Sequence, residues 1–188
     1  MKPKSDLRII KTQMNIYNAL TNLLKVKSFE NIKVSDICSE ALINRSTFYD
    51  HYTDKYELLI DFINNQKKLL EEALNNNDSF TSIKDYYIEL IKLLLNHVEE
   101  NISVYQSIVL NNENSVIMNI FIDVITKDVE NKILKAKRNN ASSKIITKFY
   151  VGAVVNVCME WLINNHKYKK EDIIKNLQNL IPEDINNL

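Results

Sequence analysis

The sequence predicts an all-α protein of about nine helices, and three observations carry the prediction. Glycine occurs once and proline twice in 188 residues, so the residues that break helices are nearly missing. Apolar side chains recur three and four positions apart along most of the chain, the spacing of one helix face. Strand-like alternation is absent, and asparagine clusters at 75–77, 111–114 and 139–140 stand where turns are needed.

Each element has its own justification. The first helix is expected from Leu7 to Lys25, with Ile9, Ile16, Leu20, Leu23 and Leu24 on one face. Short helices follow from Val34 to Glu40 and from Asn44 to Asp50, the latter with Asn44 as N-cap. A long fourth helix starts at Asp54, where Glu57 three residues on makes a capping box, and runs to Leu74. Ser82 to Glu99 carries the stripe Ile83, Tyr86, Tyr87, Leu90, Ile91, Leu94 and Val98. Ile102 to Leu110 is shorter, and Val116 to Lys137 is long. Ser142 to Asn164 is apolar on nearly every face, which predicts burial all round. Lys170 to Ile181 closes the chain with Ile173, Ile174, Leu177 and Leu180. No loop long enough to be a linker interrupts this order. The expected division is therefore 1–53 for a small head and 54–188 for a larger body, with the fourth helix joining them.

Charge and cysteine usage narrow the function. The formal net charge is zero, which argues against a general nucleic-acid binder. The distribution is uneven, however. Lys2, Lys4, Arg8, Lys11, Lys25 and Lys27 stand against Asp6 alone in the first 27 residues. Either a solvated basic tail or a phosphate-facing surface produces that pattern. Cys38 and Cys158 lie far apart in apolar helical settings and read as buried thiols. The first residues are too charged for a signal peptide, and the apolar run from Phe149 to Ile163 is broken by Asn156 and Glu160. It reads as too short and too polar to span a bilayer. A cytoplasmic protein without membrane attachment is expected. His97 and His166 have no second ligand at helical spacing, so no metal is expected. No phosphate loop or nucleophile motif is present, so neither a cofactor nor an enzymatic activity is expected.

The run VSDICSEALINRSTFYDHYTDKYELL, Val34 to Leu59, carries most of the functional information. It reads as a helix, a tight turn and a second helix, the layout that places a recognition helix in the DNA major groove. Ile43 and Phe48 would pack inward against Ile37 and Ala41. Arg45 would reach a guanine edge or a phosphate, and Ser46 and Thr47 a phosphate, a base or a thymine methyl. Tyr49 and His51 would donate to phosphates from the far end. Lys33 and Ser35 would do so from the start of the first of the two helices. Lys55, in the first turn of the fourth helix, would clamp a phosphate together with free N–H groups. An aromatic cluster of Tyr49, Tyr52 and Tyr56 holding the helices together is the alternative, and for Tyr52 and Tyr56 it is the readier reading.

This segment resembles the DNA-binding region of the TetR/AcrR family of bacterial transcriptional regulators. The resemblance rests on Ile37, Ala41, Ile43, Arg45, Thr47, Phe48, Tyr49, His51, Tyr52, Lys55 and Leu58, with the preceding helix and Phe29. It covers residues 7–60; the rest matches in helical character and order. It implies DNA contacts at Arg45, Thr47, Tyr49, His51 and Lys55. Two positions depart from the pattern. The turn carries Leu42 where the family has glycine; a left-handed leucine there costs on the order of 1 kcal/mol. Lys33 stands at the helix cap where threonine is usual. A lysine side chain cannot accept the capping hydrogen bond, so that helix start is expected to fray.

The resemblance also implies the rest of the assembly. FYVGAVVNVCMEWLINN, from Phe149 to Asn165, is similar to the penultimate helix of the family, which forms a four-helix dimer bundle with the last helix. Val151, Val155, Cys158, Trp161, Leu162, Ile174 and Leu177 are the candidate interface residues. Trp161 has core packing as its alternative, and Gly152 reads either as a point of close helix approach or as an ordinary glycine. Tyr86, Tyr87, Tyr105, Phe121 and Tyr150 are candidates for lining an effector cavity, with plain core packing as the commoner role of such a stripe. The implied function is a homodimeric repressor on a pseudo-palindromic double-stranded operator, released by a small-molecule effector. The alternative is an interaction module that keeps the scaffold and answers to a protein partner.

Overall fold

A computed structural model of the chain describes residues 4–75, 82–111, 116–135, 141–164 and 168–181. Among these, the elements are α1 (Lys4–Leu24), a 3-10 turn (Phe29–Asn31), α2 (Val34–Glu40), α3 (Arg45–Tyr49), α4 (Lys55–Asn75), α5 (Ile83–Glu100), α6 (Ile102–Asn111), α7 (Val116–Lys135), α8 (Ala141–Ile163) and α9 (Lys170–Leu180). The fold is all-α, as its sequence predicts. Of the asparagine clusters, 76–77, 112–114 and 139–140 lie outside the described residues, as does His166.

The first three helices and the start of α4 form a head around one apolar cluster. Ile16, Leu20, Phe29, Ile37, Phe48 and Leu58 are its fully buried members. Except for Phe29, which sits in the 3-10 turn, these are the inward positions of their helices, so helical periodicity places them. The cluster does not stop at the head. Ile117 of α7 is buried in it, and Phe121 and Val124 pack against it. A second cluster, built on Ile88, Leu95, Trp161, Leu162, Ile173 and Leu177, joins α5, α8 and α9. A third and smaller one joins Val129 and Val151 with Tyr87, Ile122, Ile125 and Val155.

Helix ends follow local chemistry. Ser82 caps α5 by accepting from the Asp85 N–H at 3.0 Å. Asp54 accepts from the N–H groups of Tyr56 and Glu57 at 2.8 and 2.9 Å, the forward half of the expected box. The return bond reaches one residue further back, because Glu57 accepts from the N–H and hydroxyl of Thr53 at 2.7 and 2.6 Å. That pairing holds the Glu57 carboxyl below its ordinary pKa, the hydroxyl bond contributing most.

α8 departs from its expected burial on every side. Its inner face, with Val151, Trp161 and Leu162, packs in the protein, whereas Ile145 and Phe149 are 70 % and 67 % exposed. A uniformly apolar helix gives no phase from sequence, so the bare outer face was hidden. The stretch Lys144–Ile163 also has the length and mean hydropathy, 1.4, of a membrane span. Core helices of proteins reach the same length and hydropathy, so the reading of Phe149 to Ile163 as non-spanning is not overturned. Packing of its inner face against α6 and α7 now gives it a place in a protein core.

Candidate nucleic-acid interface

α2 begins with no side-chain cap, since Lys33 has no acceptor to offer. The start is closed from the other side. The Asp36 carboxylate accepts the Lys33 N–H at 3.1 Å and the Lys27 ammonium at 2.7 Å through the same oxygen. Lys27 and then the Lys33 N–H hold the Asp36 carboxyl below its ordinary pKa. The expected fraying is thereby corrected: the capping work passes from the cap residue to the acid three positions on.

The turn after α2 is a Schellman motif. Ile43 N–H donates to the Cys38 carbonyl at 3.0 Å and Leu42 N–H to the Ser39 carbonyl at 3.3 Å. The motif requires a left-handed residue between them, and Leu42 takes it at φ 56°. Its side chain is 91 % exposed, so packing does not offset the strain.

α3 is a single turn and a half held by one buried anchor. Phe48 is fully buried, with the Tyr49 and Tyr52 rings 5.5 and 5.8 Å away. Arg45, Ser46 and Tyr49 are exposed, while Thr47 and His51 are half-buried. Lys33 is exposed and Ser35 half-buried at the start of α2. A rigid apolar anchor with cationic, hydroxyl and phenolic donors beside it can meet phosphates and base edges.

Lys55 sits differently from its expected phosphate position. Its ammonium donates to the carbonyls of Phe29, Glu30 and Ile32 at 2.9, 3.0 and 2.9 Å. It also lies 4.8 Å above the Phe29 ring. All three N–H bonds of the ammonium are directed into the protein, and desolvation holds its pKa down. Lys55 is thus a clasp on the α1–α2 connection.

A second fastening went unread in the sequence. One oxygen of Asp61 in α4 accepts from the Tyr17 hydroxyl at 2.6 Å, the Tyr52 hydroxyl at 2.7 Å and the Gln13 amide at 2.9 Å. Burial and the bond to Asp61 push the Tyr52 phenol up to about 12 and raise Tyr17 as well. The knot ties α1, the exit of α3 and α4 together. Its members stand up to 48 residues apart, so no local pattern announces it.

The candidate body residues are only partly brought together. Tyr105 and Tyr150 pack on the second apolar cluster, Tyr87 on the third and Phe121 on the head cluster. The Tyr86 hydroxyl donates to Glu71 at 2.8 Å. Four of the five aromatics are thus divided among three clusters, and Tyr86 is bonded to α4 instead. The candidate interface residues are turned inward: Val151, Trp161, Leu162 and Leu177 are buried, and Val155, Cys158 and Ile174 are half-buried against the clusters. The bare stripe of α8 is instead Ile145, Phe149, Ala153, Val157 and Ile163.

The profile described as bacterial regulatory proteins, tetR family, matches residues 16–62, and one described as a transcriptional regulator C-terminal region matches 85–183. A similar protein is the HTH-type dhaKLM operon transcriptional activator DhaS of Lactococcus lactis subsp. lactis, 34 % identical over 97 residues. That match covers 52 % of this chain and 48 % of the activator, so it spans about half the length of that relative. A TetR transcriptional regulator structure from Streptococcus agalactiae aligns with TM-score 0.64 and 23 % identity, covering 94 % of this chain and 96 % of its own. A Listeria innocua structure aligns with TM-score 0.69 and 21 % identity, covering 96 % and 94 %.

Proposed function

Because the chain belongs to the tetR family of bacterial regulatory proteins, we propose that it works as a cytoplasmic homodimer that binds a pseudo-palindromic operator through α2 and α3. The observation that carries this reading is the exposed set Arg45, Ser46 and Tyr49, fixed beside the buried Phe48. Residues 1–53 read the DNA, and 54–188 pair the protomers and receive the signal. The dimer forms through the outer face of α8 with α9. An operator-bound dimer blocks transcription, and an effector releases it by favouring a state whose heads no longer match the two half-sites. A second reading, activation, is favoured by the name of the Lactococcus relative. A reporter driven by the upstream DNA, with and without the protein, separates the two by the sign of its response.

The test is a gel shift on the DNA upstream of the protein's own gene, comparing wild type with Arg45→Ala. Loss of a guanine contact should weaken operator binding by about 1–3 kcal/mol and relax preference at one base pair. Unchanged affinity in a folded variant would show that α3 does not read DNA.

A further inference from the structure

The head is attached to the body twice, and the second attachment does not run through α4. The first is the α4 route, where the Lys67 ammonium meets Asp128 of α7 at 2.7 Å, both side chains mostly buried. The second lies on the connection between α1 and α2. The Glu30 carboxylate accepts the N–H of Val116, the first residue of α7, at 2.9 Å. The Asn111 amide, at the end of α6, donates to the Lys25 carbonyl at 2.9 Å and to its own helix at Ser107 at 2.7 Å. Beside these bonds, Ile117 is buried in the head cluster with Phe29 and Leu24. The connection is therefore gripped from both sides. Lys55 holds its carbonyls from α4, while Asn111 at the end of α6 holds Lys25 and Val116 at the start of α7 holds Glu30.

We propose that Glu30 and Asn111 are positioning residues for operator binding: they fix the angle of the reading head against the body and so set the half-site spacing that the dimer accepts. The inference rests on the DNA-binding dimer proposed above. A head joined to its body by one helix keeps the freedom to swing about that helix. A second anchorage, displaced from the first, removes that freedom. Glu30 suits the task because a helix N-terminus presents unpaired N–H groups and favours a negative partner. Its own backbone is immobilised by the bond from Lys55 to its carbonyl. Neither Glu30 nor Asn111 lies in α2 or α3, so neither should alter how one head meets one half-site. Movement of the end of α6 or the start of α7 would also reach the recognition helix without displacing α4.

The test uses full-length protein and a duplex that the wild type selects from random DNA. Binding is followed by fluorescence anisotropy on a single half-site, on the full site, and on sites with one or two base pairs inserted at the centre. Wild type should lose about a hundredfold in affinity on insertion, because a rigid dimer matches one spacing. Glu30→Ala and Asn111→Ala should keep half-site affinity within about twofold and reduce that insertion penalty to about tenfold. Glu30→Gln keeps an acceptor for Val116 and should retain the wild-type penalty. A full penalty in Glu30→Ala and Asn111→Ala overturns the proposal. So does a loss of half-site affinity as large as the loss on the full site, which would place their effect inside the head. Wild type that selects no sequence overturns instead the operator reading beneath it.

Discussion

Leu42 is the residue whose backbone and side chain are both in unfavourable places. The Schellman turn needs its left-handed φ of 56°, and its side chain is 91 % exposed. Leu42→Gly should raise stability by roughly 0.5 kcal/mol, read as a higher midpoint in urea at unchanged slope. The gain is smaller than the relieved strain, because glycine also loosens the unfolded chain. An unchanged or lower midpoint would mean that the turn holds Leu42 without strain. Single-residue chemistry of this kind was legible in the sequence, because the turn type and its demand are local. Lys33 shows the limit of the same reasoning. Its missing cap was visible, but the compensation by Asp36 and Lys27 depended on a side chain nine residues before the acid.

At the scale of elements, the head is held by two fastenings that join helices far apart in the chain. Lys55 pairs with carbonyls 23 to 26 residues away, so its sequence neighbours suggested a phosphate ligand and could not reveal the clasp. Lys55→Met should lower stability by roughly 2–3 kcal/mol, since three carbonyls lose a charged donor. The salt dependence of DNA binding should stay as in wild type. A phosphate contact would instead reduce the salt slope by about one. The knot at Asp61 adds a pH signature. Tyr52 has an ordinary value of 10.0 and a folded value of about 12. A phenol raised on folding contributes stability that is complete below pH 10 and is lost as pH rises through the folded value. Wild type should therefore lose stability between about pH 10 and 12 more steeply than Tyr52→Phe in parallel denaturant melts. Matching slopes would remove the phenol from the alkaline transition.

At the scale of the whole molecule, helix number and order were legible because each stripe of α1, α5 and α9 has one apolar face. α8 was not, and the reason is its composition. With apolar residues on nearly all sides, its sequence cannot say which face meets its own chain and which faces outward. Burial of Val151, Trp161 and Leu162 settles the phase. Ile145, Phe149, Ala153, Val157 and Ile163 are then left bare, and Gly152 has open space where a Cβ would stand. A contiguous apolar stripe of this kind requires a cover. A second copy supplying the same stripe satisfies the self-complementary geometry of a two-fold dimer. Two substitutions then separate interface from core. Phe149→Asp should give a folded monomer, because the charge falls on the outer face and leaves the protomer core intact. Trp161→Ala should cost about 3–5 kcal/mol of protomer stability, the usual penalty for emptying a large buried site. Light scattering at micromolar concentration, paired with thermal melts, reads both. Phe149→Asp that stays dimeric would move the interface off α8. Trp161→Ala that yields a folded monomer at wild-type stability would return the tryptophan to the interface.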